Sequence, residues 1–293
     1  MKKYAYYPGC TLGSTGVEYG LSAMAVCEKL GIEMWEIPDY NCCGASSAHL
    51  VNPYLALGLA ARNMAIAEEA GLDVAIPCAA CYSHSKAAQI AAKEDEKKRA
   101  AIEEMLGREY KGESRALSIL EVLDECLNYD ELQAQIVHPL KGLKVVTYYG
   151  CLLSRPQELA CDDAEDPVMM DKILTALGAQ VLPWSAKTEC CGASHTASEP
   201  LIGVKMTDKI LLAAQKSGAD CIATACPMCM GNLDMRQEEA KKKYHHDYNL
   251  PIYYFTELLG LALGIAPKKM GSDRHFVPAM EILEKYEKGG GAE

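Results

Sequence analysis

The cysteines of this 293-residue chain follow a doubled pattern that constrains the fold more than any other feature. Each copy contains a lone cysteine, then a Cys-Cys-Gly, then a Cys-x-x-Cys. The ten repeated cysteines are Cys10, Cys42, Cys43, Cys78 and Cys81 in the first copy and Cys151, Cys190, Cys191, Cys226 and Cys229 in the second. From the Cys-Cys-Gly onwards the spacing is identical in both copies. The chain is therefore an internal duplication of a five-thiol unit.

Short β-favouring runs alternate with longer Ala- and Leu-rich runs in both copies. Strands are predicted at 3–7, 32–37, 73–77, 143–149, 179–184 and 220–225, and helices at 16–30, 53–70, 167–177 and 200–217. Such alternation is typical of parallel sheets built from βαβ units. We predict an α/β fold of two internally duplicated, Rossmann-like βαβ domains with parallel sheets, related by a pseudo-two-fold axis.

The least repeated stretch separates the two copies. We place the first domain at 1–142, with a helical connector at about 86–142, and the second at 143–293. The polar segment from 268 onwards is expected to be a docking arm or a frayed tail of the second domain.

The repeated cysteines follow the predicted strands. Cys10, Cys42 and Cys78 each come just after the carboxyl end of a strand, where sites assemble in open α/β sheets. Glycine beside the paired cysteines lets the backbone turn tightly around a bulky ligand. Each copy is thus expected to gather five thiols at one sheet edge.

Composition excludes several classes of protein. The net charge of −11 argues against a nucleic acid partner, because binding phosphates requires a basic face. The best apolar stretch, 253–266, is short and contains Glu257, so we predict no transmembrane segment. No apolar signal region precedes Pro8, and we expect a cytoplasmic protein.

Fourteen cysteines in a reducing compartment indicate metal binding or catalysis rather than disulfides. A structural zinc ion takes four ligands, which five thiols with an adjacent pair overfill. Iron–sulfur clusters place thiolates on separate irons and accept such spacing. The residues favour iron–sulfur clusters, with zinc and metal-free dithiol chemistry as alternatives.

The doubled motif resembles the CCG cysteine-rich domain proteins, and nearly the whole chain is similar to the B subunit of heterodisulfide reductase. The resemblance implies two noncubane 4Fe–4S clusters, with the ten repeated cysteines as ligands. It implies a disulfide oxidoreductase acting within a multisubunit complex. The implied reaction reduces the coenzyme M–coenzyme B disulfide of methanogenesis, or a related disulfide, to two thiols by homolytic S–S cleavage between the clusters.

The same resemblance implies two partner subunits. The chain has no Cys-x-x-Cys-x-x-Cys run of its own, which favours a separate ferredoxin-like iron–sulfur partner, the C subunit of such complexes. A flavin-containing partner, the A subunit, is expected behind it. Related CCG domains also occur in hydroxyacid- and fumarate-linked oxidoreductases, so an electron-transfer subunit of that kind is an alternative function. A zinc-bound structural module is another.

Other polar residues near the motifs are candidates for substrate or proton contacts. His49 and His195 follow the two Cys-Cys-Gly turns, and His84 follows the first Cys-x-x-Cys. A histidine there can donate a proton or remain a hydrogen-bonded loop residue. Lys187 and Arg155 are the cations nearest to the second motif and are candidates for binding anionic substrate groups.

Four cysteines have no counterpart in the other copy. Cys27, Cys126 and Cys221 lie in helical or strand patterns and are predicted to be core residues. Cys161 lies in a polar loop beside Asp162 and is expected to be exposed.

Overall fold

The computed structural model describes residues 2–45, 47–196 and 198–289. The first half alternates strands and helices, and most cysteine segments lie in the loops between them. Its elements are β1 (Lys3–Tyr6), α1 (Val17–Lys29), β2 (Glu33–Glu36), α2 (Ala48–Val51), α3 (Pro53–Glu69), β3 (Val74–Ile76), α4 (Ala79–Glu94), α5 (Glu96–Leu106), β4 (Ala116–Ser118), α6 (Ile119–Cys126) and α7 (Tyr129–Gln135).

The second half repeats this order. Its elements are β5 (Lys144–Tyr148), α8 (Met169–Ala176), β6 (Gln180–Val181), α9 (Pro200–Ser217), β7 (Cys221–Thr224), α10 (Pro227–Met235), α11 (Gln237–Tyr244), β8 (Ile252–Tyr254), α12 (Phe255–Ala262) and α13 (Met280–Glu287). Four short 3₁₀ turns lie at Gln157–Leu159, Ala193–His195, Pro267–Met270 and Ser272–Arg274.

The strands form two parallel four-stranded sheets with equivalent topology. The first has the order β2-β1-β3-β4 and the second the order β6-β5-β7-β8. The predicted α/β fold with two Rossmann-like halves is confirmed. The prediction missed the fourth strand of each sheet. β4 and β8 run directly into helices α6 and α12, and no proline or glycine marks where each strand ends.

The duplication therefore extends beyond the cysteine motifs. The helix after the fourth strand begins in the same way in both halves. Glu121 accepts a hydrogen bond from the backbone N–H of Ser118 at 2.7 Å, and Glu257 accepts one from Tyr254 at 2.8 Å. In each case the carboxylate satisfies an N–H at the helix start, as in a capping box.

Two pairs of helices pack against each other at the interface between the halves. Helix α1 packs against α12 of the other half, and α8 packs against α6. Tyr19 on α1 stacks on Tyr254, with ring centroids 4.2 Å apart and planes 4° apart, and Ser22 bonds Thr256 at 2.6 Å. The two helix pairs are related by exchanging the halves, as a pseudo-two-fold arrangement requires.

The structure refines the sequence interpretation of two segments. The stretch 86–142 is largely helical, but it also contributes β4 to the first sheet, so it is more than a connector. The tail is a docking arm as far as it is described, because Met270, Leu283 and Tyr286 are buried. The end of the predicted tail, 290–293, lies outside the described residues.

Candidate functional site

All ten repeated cysteines line one cavity of about 670 Å³. The cavity lies at the carboxyl ends of the strands of both sheets. In the first sheet β1 is flanked by β2 and β3, so the crossover direction reverses between β1 and β3. Ligands of open α/β sheets bind at such a switch point. The duplicated topology thus brings two such points to a single space.

The Cys-x-x-Cys segments begin helices in both halves. Cys78 is the N-cap of α4, with φ −140° and ψ 122°, and Cys226 is the N-cap of α10, with φ −138° and ψ 122°. Cys81 and Cys229 follow one turn later on these helices. Because the backbone angles are nearly identical, the two cysteine pairs have the same orientation towards the cavity.

The sulfur atoms are paired in matching ways in the two halves. The Sγ atoms of Cys43 and Cys81 are 3.4 Å apart, and those of Cys191 and Cys229 are 3.5 Å apart. The N–H after each paired motif donates to the first cysteine: Gly44 to Cys42 at 3.5 Å and Gly192 to Cys190 at 3.4 Å. All fourteen cysteines are free thiols.

Two glycines allow the backbone to approach the sulfurs closely. Gly9 and Gly150 both have positive φ, 69° and 67°. A Cβ at Gly9 would lie 3.0 Å from Sγ of Cys81, and one at Gly150 would lie 3.0 Å from Sγ of Cys229. Any larger residue would have to displace these thiols.

Two tyrosines brace the paired cysteines, a role that the sequence analysis missed. The hydroxyl of Tyr7 donates to the carbonyl of Asn41 at 2.8 Å, and that of Tyr148 donates to the carbonyl of Glu189 at 2.7 Å. Asn41 and Glu189 immediately precede the Cys-Cys pairs. The sequence does indicate this role, because a tyrosine lies three residues before the lone cysteine in both copies.

Hydrogen bonds link thiols in pairs within each half. The bond between Cys43 and Cys81 lowers the pKa of Cys43 to about 7. The bond between Cys151 and Cys190 lowers the pKa of Cys190 to about 6. The same bonds raise the pKa values of Cys81 and Cys151. Thiolate is the form that binds metal, so each half holds thiols that are ready to become ligands.

The histidine candidates differ in position. His49 and His84 line the cavity. Burial, and then the charge of His49, lower the pKa of His84. His195 is exposed on the 3₁₀ turn Ala193–His195. The cavity lining includes its neighbour Ser194.

Both cationic candidates, Lys187 and Arg155, already interact with other groups of the protein. Lys187 forms ion pairs with Asp171 at 2.7 Å and Asp166 at 3.0 Å, and its side chain is 15% exposed. Its charge is therefore balanced within the chain, which argues against the predicted substrate contact. Arg155 is exposed, and its guanidinium donates to the carbonyl of Thr188.

The unrepeated cysteines lie outside the cavity lining. Cys27 and Cys221 are buried core residues, as predicted, and Cys126 is partly buried against the hydroxyl of Tyr4. The expectation of an exposed Cys161 is wrong, since this residue is 6% exposed. Its N–H bonds to the carbonyl of Leu153 at 2.9 Å, and the residue belongs to the buried core.

The donor set fits iron–sulfur clusters. Each half provides five cysteine sulfurs, and in each half a glycine lets the backbone approach one of these sulfurs closely. The two sets of sulfurs line one cavity. A cluster distributes its thiolates over several irons, which suits five sulfur donors that include an adjacent pair.

Comparison with known proteins identifies the class. The CCG family, described as a cysteine-rich domain, matches residues 4–86 and 145–234. The chain therefore belongs to the CCG cysteine-rich domain family, in duplicated form. Both matches contain a complete five-cysteine set.

Individual relatives narrow this class. The chain is 33% identical to the B subunit of the ferredoxin/F420H2-dependent CoB–CoM heterodisulfide reductase of Methanosarcina acetivorans, over 99% of both chains. It is 35% identical to the 8-methylmenaquinol:fumarate reductase membrane anchor subunit of Wolinella succinogenes, over 96% of this chain and 99% of that one. The chain is thus an iron–sulfur protein of the oxidoreductase class, homologous to the B subunit of heterodisulfide reductase.

A solved structure shares the fold. The crystal structure of a hypothetical protein from Helicobacter pylori matches 95% of this chain with a TM-score of 0.78 at 14% identity. This chain spans 52% of the length of that structure. Separately, none of the helices within residues 2–45, 47–196 and 198–289 has the length and apolar character needed to span a bilayer.

Proposed function

We propose that this chain is the catalytic iron–sulfur subunit of a heterodisulfide reductase-type complex. It would reduce the coenzyme M–coenzyme B disulfide, or a related disulfide, to two thiols. Each five-cysteine set would hold one noncubane 4Fe–4S cluster. When bound, these clusters would supply the electrons that cleave the S–S bond homolytically.

One observation carries the proposal: both cysteine sets line the same cavity. A disulfide bound in this space would lie beside both sets at once. Breaking an S–S bond takes two electrons, while each cluster is a one-electron donor. A shared cavity lets one substrate draw one electron from each side.

The reaction also consumes two protons, one for each thiol that forms. The imidazole rings of His49 and His84 line the cavity in which the sulfurs would separate. We assign them the delivery of protons from an imidazole N–H to a departing sulfur. His195, exposed at the second Cys-Cys-Gly, remains a predicted contact at the rim.

The remaining walls would exclude water and orient the substrate. Ala45, Leu152 and Met228 give the cavity an apolar lining. An apolar lining suits a neutral disulfide bond. Arg155, exposed after Cys151, remains a predicted contact for anionic substrate groups outside this lining. Lys187 is the weaker candidate, because two carboxylates already pair with it.

The electrons would come from other subunits in the cytoplasm. The similarity to one subunit of a ferredoxin/F420H2-dependent heterodisulfide reductase supports a multisubunit setting. We propose a ferredoxin-like iron–sulfur subunit (the C subunit) as the direct donor and a flavin-containing one (the A subunit) behind it.

The test is disulfide turnover by the anaerobically reconstituted full chain with a chemical reductant in place of the partners. Cys10→Ala and Cys151→Ala remove one proposed ligand from each set. Both variants should lose coenzyme M–coenzyme B disulfide reduction. Intact turnover in either variant would refute cleavage between two clusters.

Cys126→Ala is the matched control. Cys126 is a partly buried thiol that the cavity lining does not include. This variant should retain turnover, which separates loss of a ligand from loss of any cysteine. Folding of all three variants is checked by far-UV circular dichroism.

A second candidate function rests on the similarity to the fumarate reductase subunit of Wolinella succinogenes. In that case the chain would relay electrons in a fumarate- or hydroxyacid-linked complex without cleaving a disulfide. The same assay discriminates. A fully loaded chain whose clusters are reducible, but which turns over no disulfide, supports the relay function.

A further inference from the structure

A second groove adjoins the cysteine cavity. It has a volume of about 480 Å³ and lies between the loop after Cys10 and helix α10. Thr11, Ala193 and Met228 line both the groove and the cysteine cavity, so the two spaces meet at these residues. Small-molecule sites have volumes of roughly 300–1,000 Å³, and the groove is within this range. It is therefore large enough to extend the site in which a disulfide would bind.

The wall of the groove is mainly apolar. Met228 and Met235 line it, and both side chains are exposed. Its buried amide is already satisfied within the protein. Asn232 donates to the carbonyl of Cys191 at 2.6 Å and accepts from the hydroxyl of Thr196 at 3.2 Å. An apolar occupant can therefore lie along this wall without leaving the amide unpaired.

A guanidinium lies further along the groove. Arg236 follows Met228 by eight residues, which is roughly 12 Å along a helix axis. It pairs with Glu239 at 2.7 Å, but Glu239 is exposed, and ion pairs with an exposed partner are weak. A guanidinium has five N–H donors, so Arg236 can also bind a second acceptor.

The first half differs at the equivalent position. The second copy is longer between its lone cysteine and its Cys-Cys-Gly, and in this segment the 3₁₀ turn Gln157–Leu159 packs against α4. The α4 residues that correspond to Met228, Gly231 and Arg236 are small and buried, namely Ala80, Ser83 and Ala88. The site therefore extends further along α10 than along α4, and the pseudo-two-fold symmetry is broken there.

We propose that this groove binds one arm of an unsymmetrical disulfide. The arm is long and mainly apolar, and it ends in a group that accepts hydrogen bonds from Arg236. The other arm is short and stays within the cysteine cavity. This inference rests on the proposed function for the position of the S–S bond between the two cysteine sets. It adds the shape of the substrate and the side on which its longer arm lies.

The first experiment measures binding without turnover. The probes are thioethers in which a methylene replaces one sulfur of the disulfide, so they cannot be reduced. One arm is short, and the other ends in a carboxylate and varies from about two to about eight carbons. Isothermal titration calorimetry with the anaerobically reconstituted full chain gives each dissociation constant. Each methylene that enters the groove should tighten binding roughly three- to fourfold. Affinity that does not depend on arm length would overturn the proposal.

Gly231 allows the groove to be filled without disturbing helix α10. A Cβ at this position has no neighbour within 4 Å, and leucine is a better helix former than glycine. Gly231→Leu should remove the length dependence, so that the longest probe binds no better than the shortest. Gly231→Ala is the matched control, because it adds only a Cβ and should keep most of that dependence. Wild-type length dependence in Gly231→Leu would contradict the proposal.

Arg236→Met tests the end of the long arm. It should weaken binding of the carboxylate-terminated probe roughly tenfold, so that this probe and a methyl-terminated one of equal length bind alike. Arg108→Met is the matched control, since Arg108 also pairs with one glutamate, Glu69 at 3.0 Å, and lies outside the groove lining. Equal loss of affinity in both variants, or in neither, would overturn the role of Arg236.

Turnover separates this inference from the proposed function. With a chemical reductant, Gly231→Leu should lower the ratio of kcat/KM for a long-armed disulfide to that for a short symmetrical one. A wild-type chain that reduces disulfides with no preference for arm length would overturn the groove assignment and leave the proposed function intact. Length-dependent binding of the thioethers by a fully loaded chain that reduces no disulfide would support the groove and refute the proposed function.

Discussion

Glycine at two positions sets how closely the backbone approaches the cavity sulfurs. Gly9 and Gly150 have positive φ and face Cys81 and Cys229, with no room for a Cβ. The glycine backbone packs closely against each sulfur. This packing helps the thiol to keep its position when a bulky cluster binds. At the scale of single residues, the site depends on glycine at these two positions as much as on the cysteines.

We expect Gly9→Ala to reduce the iron content of the first half by displacing the Cys81 sulfur. Gly31→Ala is the matched control, because Gly31 has the same φ of 69° but a Cβ there would have no neighbour within 4 Å. Both variants should lose roughly 1–2 kcal/mol of folding free energy to backbone strain. Only Gly9→Ala should lose iron. Equal iron loss in both would show that strain, rather than thiol displacement, is responsible.

Tyr7 and Tyr148 occupy equivalent positions, but the carbonyl that Tyr7 contacts has a second hydrogen-bond donor. The carbonyl of Asn41 accepts from Tyr7 and also from the side chain of Asn63, at 2.9 Å. The carbonyl of Glu189 accepts from Tyr148. Tyr148→Phe should therefore destabilise the fold by about 1 kcal/mol, and Tyr7→Phe by less. Urea unfolding measures both, and a larger effect for Tyr7→Phe would contradict this assignment.

At the scale of elements, the C-terminal arm is attached through buried carboxylates. Glu257 on α12 accepts from Ser272 at 2.6 Å and lies 3.0 Å from Nε2 of His275. Asp234 on α10 accepts from the backbone N–H groups of Phe276 and Val277 at 2.7 and 3.0 Å. These polar contacts tie the arm to the second half, its turn Pro267–Met270 also packs against α1 of the first half, and Met270 lies in the core.

This attachment makes stability depend on pH. Burial alone would lower the pKa of His275, but the charges of Glu257, Asp234 and Glu18 outweigh it and raise the pKa. A raised pKa in the folded state means that the stabilisation is complete below the unfolded value of about 6.5. It is lost as the pH rises through the higher folded value.

His275→Gln should therefore be less stable than the wild type at pH 6, and the difference should shrink as the pH rises. Thermal unfolding of both proteins across this range measures it. A stability difference that stays constant with pH would show that the ring contributes packing but no charge.

The elements also show what sequence could and could not predict. Strands β1, β3, β5 and β7 and helix α9 match the predicted positions closely, because their apolar runs end at proline or glycine. β4 and β8 were not predicted, because each runs directly into a helix and no proline or glycine marks the end of the strand. Cys161 was misjudged because its polar neighbours suggested exposure. Tertiary packing places it in the core, and its polar sequence neighbours give no indication of that packing.

At the scale of the whole molecule, the duplication produces a site that neither half contains. The spacing within each copy predicted five thiols at a sheet edge, and the structure agrees. It could not predict that both edges would open into one cavity, because this depends on how α1 packs on α12 and α8 on α6.

We propose that two iron–sulfur clusters face each other across this cavity. Iron, acid-labile sulfide and zinc per chain, measured on anaerobically prepared protein, test it most directly. We predict about eight irons and eight sulfides per chain, as two four-iron clusters require, with negligible zinc. About four irons would contradict cleavage between paired clusters, and one or two zinc ions with negligible sulfide would contradict the redox account altogether.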